Sequence, residues 1–137
     1  MNFVLKGTDN GGETMFTLLA MIFCHIVDDY YLQGWLASAK QKSYWEKNAP
    51  DKLYRFDYIM ALIMHSLSWS FMIMLPLAVF NNFEVSVLYG VIFVVNAIIH
   101  GIVDNLKANA KKINLITDQL IHLSQIIITF VIYMNFA

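Results

Sequence analysis

Charge is what this chain has least of. Only 14% of its 137 residues are Asp, Glu, Lys or Arg, against roughly 25% in a typical soluble domain. The formal net charge is -1, and no long basic patch exists to meet nucleic acid, which excludes that class of partner. A single cysteine, Cys24, excludes an intrachain disulfide and a thiolate metal cluster; inside an apolar run it reads as a small packing residue. Regularly alternating ten-residue segments are also missing, so a transmembrane barrel is a poor description. Neither a solenoid repeat nor low-complexity sequence is present beyond the glycines near the N-terminus. What is present is hydrophobicity, at 58% of the chain, a composition that suits lipid better than water.

That hydrophobicity is gathered into four runs, residues 15–36, 58–80, 85–106 and 115–136. Each is long enough to cross a hydrocarbon core of about 30 Å at about 1.5 Å per residue. The expected fold is therefore all-α: a polytopic integral membrane four-helix bundle over residues 15–137, preceded by a polar, flexible tail over residues 1–14. Residues 37–57 form a charged loop in which Tyr44, Trp45, Tyr54 and Phe56 suit a short helix at the headgroups. Asn81, Asn82 and Phe83 make a tight turn that sets the second and third spans antiparallel.

Orientation follows from the positive charges. Lys40, Lys42, Lys47, Lys52 and Arg55 lie in the first loop and Lys107, Lys111 and Lys112 at the third, leaving only Lys6 elsewhere. The positive-inside bias puts both loops in the cytoplasm and both termini outside, in a multi-pass protein of a bacterial inner membrane. A cleaved signal peptide ending at Ala37-Ser38-Ala39 is the competing account of the first run. Its n-region would carry more acid than base, and His25, Asp28, Asp29 and Gln33 would separate the apolar run from the cleavage site.

The informative residues are polar ones inside the spans, where an ionisable side chain is costly and normally faces the bundle interior. All four histidines, His25, His65, His100 and His122, fall there, one per span. Three have an aspartate four residues away: His25 with Asp29, His100 with Asp104, and Asp118 with His122. Residues i and i+4 share a helix face, so each pair presents an imidazole and a carboxylate together. Antiparallel spans bring the pairs to one depth, toward the cytoplasmic leaflet. Imidazole nitrogen and carboxylate oxygen are the usual ligands of zinc and other divalent metals, and helix bundles build such sites from facing residues. His25, Asp29, His65, His100, Asp104, Asp118 and His122 are accordingly the candidate ligands for one or two divalent ions, zinc foremost. The bland alternative is that His-Asp pairs hydrogen-bond to one another and pin helices together; His65, among serines, is the least specific of the set. Asp28 lies 100° around the helix from Asp29 and is free to face another partner. Met60, Met64, Met72, Met74, Phe93 and Phe130 read as packing residues, and Trp35, Trp45, Tyr30, Tyr31 and Tyr133 as interfacial belts.

The set His25-x3-Asp29-Tyr30-x2-Gln33, His65, His100-x3-Asp104-x2-Lys107 and Asp118-Gln119-x2-His122 resembles a family of small bacterial and phage integral membrane proteins of unknown function. That family carries H-x3-D-[FY]-x2-Q, H-x3-D-x2-K and D-Q-x2-H motifs. The chain is similar, more distantly, to proteins described as membrane-bound metal-dependent hydrolases. The resemblance implies a shared polar site and supplies no substrate.

Together these readings lead to the expectation of a metal-dependent hydrolase acting on a lipid or lipid-linked substrate at the cytoplasmic leaflet. Membrane lipids would be its surroundings and a homo-oligomer its possible assembly. Asp29 and Asp104 are the candidate catalytic carboxylates. Lys107 would stabilise negative charge on the reacting oxygen, and Lys111 and Lys112 would attract anionic headgroups. No serine or cysteine has the neighbours of an activated nucleophile, which argues against covalent catalysis. Two other classes compete. A proton or metal-ion transport or channel subunit would need polar residues along the whole span, whereas the outer halves of these helices are nearly devoid of them. A membrane adaptor or phage accessory protein would use the polar core only to hold its helices together.

Overall fold

A computed structural model of the chain describes residues 11–136, and the first ten residues of the expected tail, Lys6 among them, lie outside the described residues. Every regular element among the described residues is helical. Helix α1 (Gly11–Val27) runs directly into a π turn (Asp28–Leu32); α2 (Leu36–Ala39) and α3 (Lys42–Asn48) occupy the first connection; α4 (Asp57–Phe80), α5 (Val87–Ala108) and α6 (Leu115–Phe136) complete the chain. Gly11–Thr14, expected in the tail, belong to the first helix. The four long helices, counting α1 and its π turn as one, are each long and apolar enough to cross a membrane.

These helices close into a ring, with α1 against α4, α4 against α5, α5 against α6 and α6 back against α1. Their buried positions explain the packing. On α4 they recur as neighbouring pairs every four residues: Ala61 and Leu62, His65 and Ser66, Trp69 and Ser70, Ile73 and Met74, Leu77 and Ala78. That is the stripe a helix turns toward its neighbours. On α6 the inward set is Asp118, His122, Gln125, Ile126, Thr129 and Tyr133. The outer faces carry Phe23, Phe71, Val94, Ile98, Ile102 and Ile128, all exposed. Polar groups inside and hydrophobic groups outside invert the order of a water-soluble bundle, and the arrangement is compatible with a multi-pass membrane protein.

Polarity is graded along the bundle. One end holds the histidines and aspartates. Next comes an amide layer, in which Gln125 Nε2 donates to Asn96 Oδ1 at 2.8 Å and Asn96 Nδ2 donates to Thr129 Oγ1 at 2.9 Å. The remainder is an apolar plug built around Met21, Ile73, Met74, Leu77, Ile92 and Ile126, all buried.

The connections are built by capping. After α4 the chain reverses over Asn82 and Phe83, both in the left-handed region (φ 51° and 62°), and Phe83 N donates to Ala78 O at 2.7 Å. That six-to-one bond satisfies an end carbonyl of the helix. Ser86 then caps α5, its Oγ accepting from Tyr89 N. In the first connection Gly34, at φ 50°, breaks the helix and folds α2 back under the bundle. Asn109, following α5, clamps this segment by donating to Lys40 O and accepting from Lys42 N, at 3.0 and 2.7 Å. Trp35, Tyr44, Trp45 and Tyr54 pack ring against ring beside it; of the four aromatics expected on one short helix only Tyr44 and Trp45 share α3, while Tyr54 lies in a following turn and Phe56 stands at the start of α4.

Candidate metal centre

The three His-Asp pairs and His65 meet at one end of the bundle, as their spacing requires. His25, His65, His100, His122, Asp28, Asp104 and Asp118 are each at most 2% exposed. Their depth follows from helix direction: α1 and α5 reach this end at their C-termini, while α4 and α6 begin there.

The π turn decides what α1 contributes. Gln33 N bonds to Asp28 O rather than to the carbonyl of Asp29, so one extra residue is wound into the turn. Two consecutive acids, 100° apart in a regular helix, thereby both reach the interior, and they straddle His65. Asp28 Oδ2 lies 3.6 Å from His65 Nδ1, and Asp29 Oδ1 lies 3.4 Å from His65 Nε2. Asp28, held by Ser68 Oγ at 2.6 Å, faces the ring's Nδ1 just beyond hydrogen-bond distance, and both facing atoms are buried without a partner. A carboxylate behind one imidazole nitrogen, with the other nitrogen turned to the centre, is the usual support of a metal-binding histidine.

Around His65 Nε2 the other donors gather closely. His100 Nε2 is 3.2 Å away and Asp104 Oδ2 is 3.3 Å away, while His100 Nε2 and Asp104 Oδ2 are 3.8 Å apart. Two ligands at tetrahedral positions around a zinc ion, with bonds of about 2.0 to 2.1 Å, are separated by about 3.3 Å. Two of the three spacings are close to that edge and the third, at 3.8 Å, is longer; the 3.2 Å contact is also a hydrogen-bond distance between the two rings. Asp29, His65 and His100 form one group with its ligand atoms mutually close; His100, Asp104 and His122 form a second, which shares His100. His122 Nε2 lies 3.4 Å from Asp118 Oδ1 and 3.8 Å from Asp104 Oδ1.

Electrostatics gives a second test of fit. Among the described residues, Asp28, Asp29, Asp104 and Asp118 face two ammonium groups: Lys40 Nζ on Asp104 Oδ2, and Lys107 Nζ on Asp118 Oδ2 at 2.6 Å. With neutral imidazoles the cluster carries two uncompensated negative charges in an apolar surround, an arrangement that is strongly unfavourable alone. One dication neutralises it. Asp29 Oδ1, Asp118 Oδ1 and His122 Nε2 are buried without a hydrogen-bond partner, and such atoms in a native interior call for an explanation. A bound cation supplies one for those nearest the centre.

The expected ligands do not all stand alike. His25 has both ring nitrogens engaged: Nδ1 accepts from Trp69 Nε1 at 2.8 Å and Nε2 donates to Gln119 Oε1 at 3.0 Å. Gln119 in turn donates to Asp118 Oδ2 and Asp29 Oδ2, at 3.1 and 3.4 Å. His25 is therefore placed to position two carboxylates through Gln119, with no lone pair free for an ion. Gln33 bonds to the Asp29 carbonyl, supporting the π turn. Lys107 reaches Asp118 from the half-exposed mouth, while Lys111 and Lys112 are exposed on the third loop.

Sequence reasoning passed over two members of the site. Trp69 lies one turn beyond His65 on the same face of α4, and it stacks on His100 with ring centroids 4.2 Å apart; its four-residue spacing from His65 was the available signal. Lys40 carried none, because it arrives from a loop whose path depends on Gly34 and Asn109. A cavity of about 340 Å³ leads from this loop to the centre, lined by Asp29, Asp104, Lys40, Lys107, Gln33 and Gln119 among others.

No curated protein and no solved structure matches the chain. A family model does, over residues 17–137 and so over every residue of the centre. The chain belongs to the family described as proteins of unknown function, DUF3307.

Proposed function

We propose that this protein is a membrane-embedded, metal-dependent hydrolase that acts on a lipid or lipid-linked substrate from the cytoplasmic leaflet. The observation that carries the reading is the convergence of two groups sharing His100, namely Asp29 with His65 and His100, and His100 with Asp104 and His122, each at ligand spacing, beside a cavity lined by Asp29 and Asp104. Asp29, His65 and His100 would hold the ion, with Asp104 beside the two histidines, most simply one zinc by the charge balance given above. When bound, such an ion supplies Lewis acidity and lowers the pKa of a water toward neutrality.

The chain's own residues divide the remaining work. Asp118 and His122, 3.4 Å apart, form a buried pair able to hold and return a proton. Lys107 at the mouth stabilises developing negative charge. Asp28 and His25 keep the ligands in place. The aromatic cluster on the first connection and the lysines of the first and third loops support placing this end at the cytoplasmic surface. The apolar plug beyond the amide layer speaks against a conducting path, which would need polar groups through the whole bundle.

Elemental analysis of detergent-purified protein tests the centre, with about one zinc per chain expected from the ligand set. Mass spectrometry of membrane lipids incubated with the zinc-loaded protein should show a hydrolysis product that disappears with chelator and with Asp104→Asn. Product formation indifferent to both would sink the proposal, and so would a zinc-free protein with intact folding.

A further inference from the structure

We infer that Lys40 and Lys107 together take the place of a second metal ion, and that a latent divalent site on His122, Asp104 and Asp118 is kept shut by their two ammonium groups. The inference rests on the metal-centre reading and adds to it the residues that hold the number of ions at one.

Helices α5 and α6 carry a second set of donors. His122 Nε2 lies 3.4 Å from Asp118 Oδ1 and 3.8 Å from Asp104 Oδ1, the first close to the ligand edge at zinc and the second somewhat longer. His100, Asp104 and His122 have ligand atoms within 4.8 Å of one another. His100 Nε2 is turned to His65 in the first group, so Asp118 supplies the third donor here. His122 and Asp118 are both 0% exposed, and His122 Nε2 and Asp118 Oδ1 have no hydrogen-bond partner among the described residues. Buried atoms of this kind are the ones a cation would engage.

The same two carboxylates already hold cations on their other oxygens. Lys40 Nζ donates to Asp104 Oδ2, and Lys107 Nζ donates to Asp118 Oδ2 at 2.6 Å. Each ammonium is a single charge, so the two equal one dication. Four carboxylates, those of Asp28, Asp29, Asp104 and Asp118, less two ammonium groups leave two negative charges, which one dication cancels. A second dication beside both lysines would leave two positive charges in an apolar surround, which is strongly unfavourable. With both ammonium groups gone, two dications balance four carboxylates.

Lys40 is fixed in this role. It is only 9% exposed, an unusual burial for a lysine. Its segment is fastened by Asn109 Nδ2 on Lys40 O and by Trp45 Nε1 on Ala39 O, at 3.0 and 2.7 Å. Lys107, with its side chain 34% exposed, is the looser of the two. Together they keep His122 and Asp118 clear of metal and free to handle a proton.

Zinc content of detergent-purified protein, with cadmium NMR on cadmium-loaded samples, counts the ions. The parent should hold one zinc and give one cadmium resonance, whereas Lys40→Met combined with Lys107→Met should hold two and give two. Damaged packing lowers metal content, so a rise separates charge from a structural lesion. His122→Ala added to the double variant should return the count to one. If the double variant does not fold, Lys107→Met alone decides. Chelator competition should then show a second zinc bound about ten-fold or more tighter than by the parent, and Lys107→Arg, which keeps the charge, should match the parent. The inference is overturned, with the first centre left standing, by two zinc ions in the parent or by variants that bind no more than the parent does. A count that stays at two without His122 overturns it as well. A parent that takes up no zinc overturns both readings.

Discussion

Four histidines in four helices look equivalent in a sequence, and hydrogen bonding separates them. His65 has its Nδ1 backed by Asp28 and its Nε2 turned to the other donors, whereas His25 spends one nitrogen on Trp69 and the other on Gln119. Substitution should therefore divide them. His65→Ala or His100→Ala removes a ligand, and zinc content should fall close to zero. His25→Ala leaves the ligands but frees Gln119, so zinc is retained with an affinity about 10- to 100-fold lower, the usual cost of losing an orienting partner. Competition with a chromogenic chelator measures both. Equal losses at His25 and His100 would mean that His25 coordinates the ion directly. Much of this centre was legible in the sequence: an imidazole and a carboxylate at i and i+4 must share a face, which brought His100 with Asp104 and Asp118 with His122 into view. The division of labour was not, because which nitrogen is free depends on Trp69 and Gln119, residues contributed by other helices.

At the scale of helices, the four long apolar helices were readable because a run of more than twenty apolar residues has few other fates. The π turn at Asp28 and the path of the first loop were not, since each is set by tertiary contacts and not by composition. Close approach of α4 and α5 is similarly hidden. A Cβ built on Gly101 would stand 2.8 Å from Ser66 Oγ, and both residues adjoin a ligand, His100 or His65. Gly101→Ala should therefore force the two helices apart at the centre, costing about 1 to 3 kcal/mol, as overpacking does. Ser66 Oγ bonds only to its own helix, at Leu62 O, and the other Ser66 atom near that Cβ is 3.7 Å away. Ser66→Ala added to Gly101→Ala should accordingly restore most of the stability. Thermal unfolding of the single and double variants measures this coupling; a double variant no more stable than Gly101→Ala would show that the clash lies elsewhere.

One end of the bundle is turned inside out, with exposed Ile98 and Ile102 around buried His100, Asp104 and Asp118, and the outer surface of the rest is apolar as well, with Phe71 and Ile128 exposed. Such a surface makes sense in lipid, and the polar end then has to sit at one leaflet. Lysines choose which. Lys40, Lys42, Lys47, Lys107, Lys111 and Lys112 are all at the end that holds the centre, while the turn over residues 81–83 at the other end has no basic residue. The positive-inside bias therefore predicts that the centre faces the cytoplasm. A membrane-impermeant thiol reagent reads this directly, once Cys24→Ala has removed the native thiol. Asn82→Cys should label in intact cells, and Lys47→Cys should label only after the membrane is opened. The opposite pattern would place the centre at the outer surface and reverse the side from which its substrate arrives. Labelling of both positions from outside would break the four-span topology, because the bundle separates these two turns by the full length of α4.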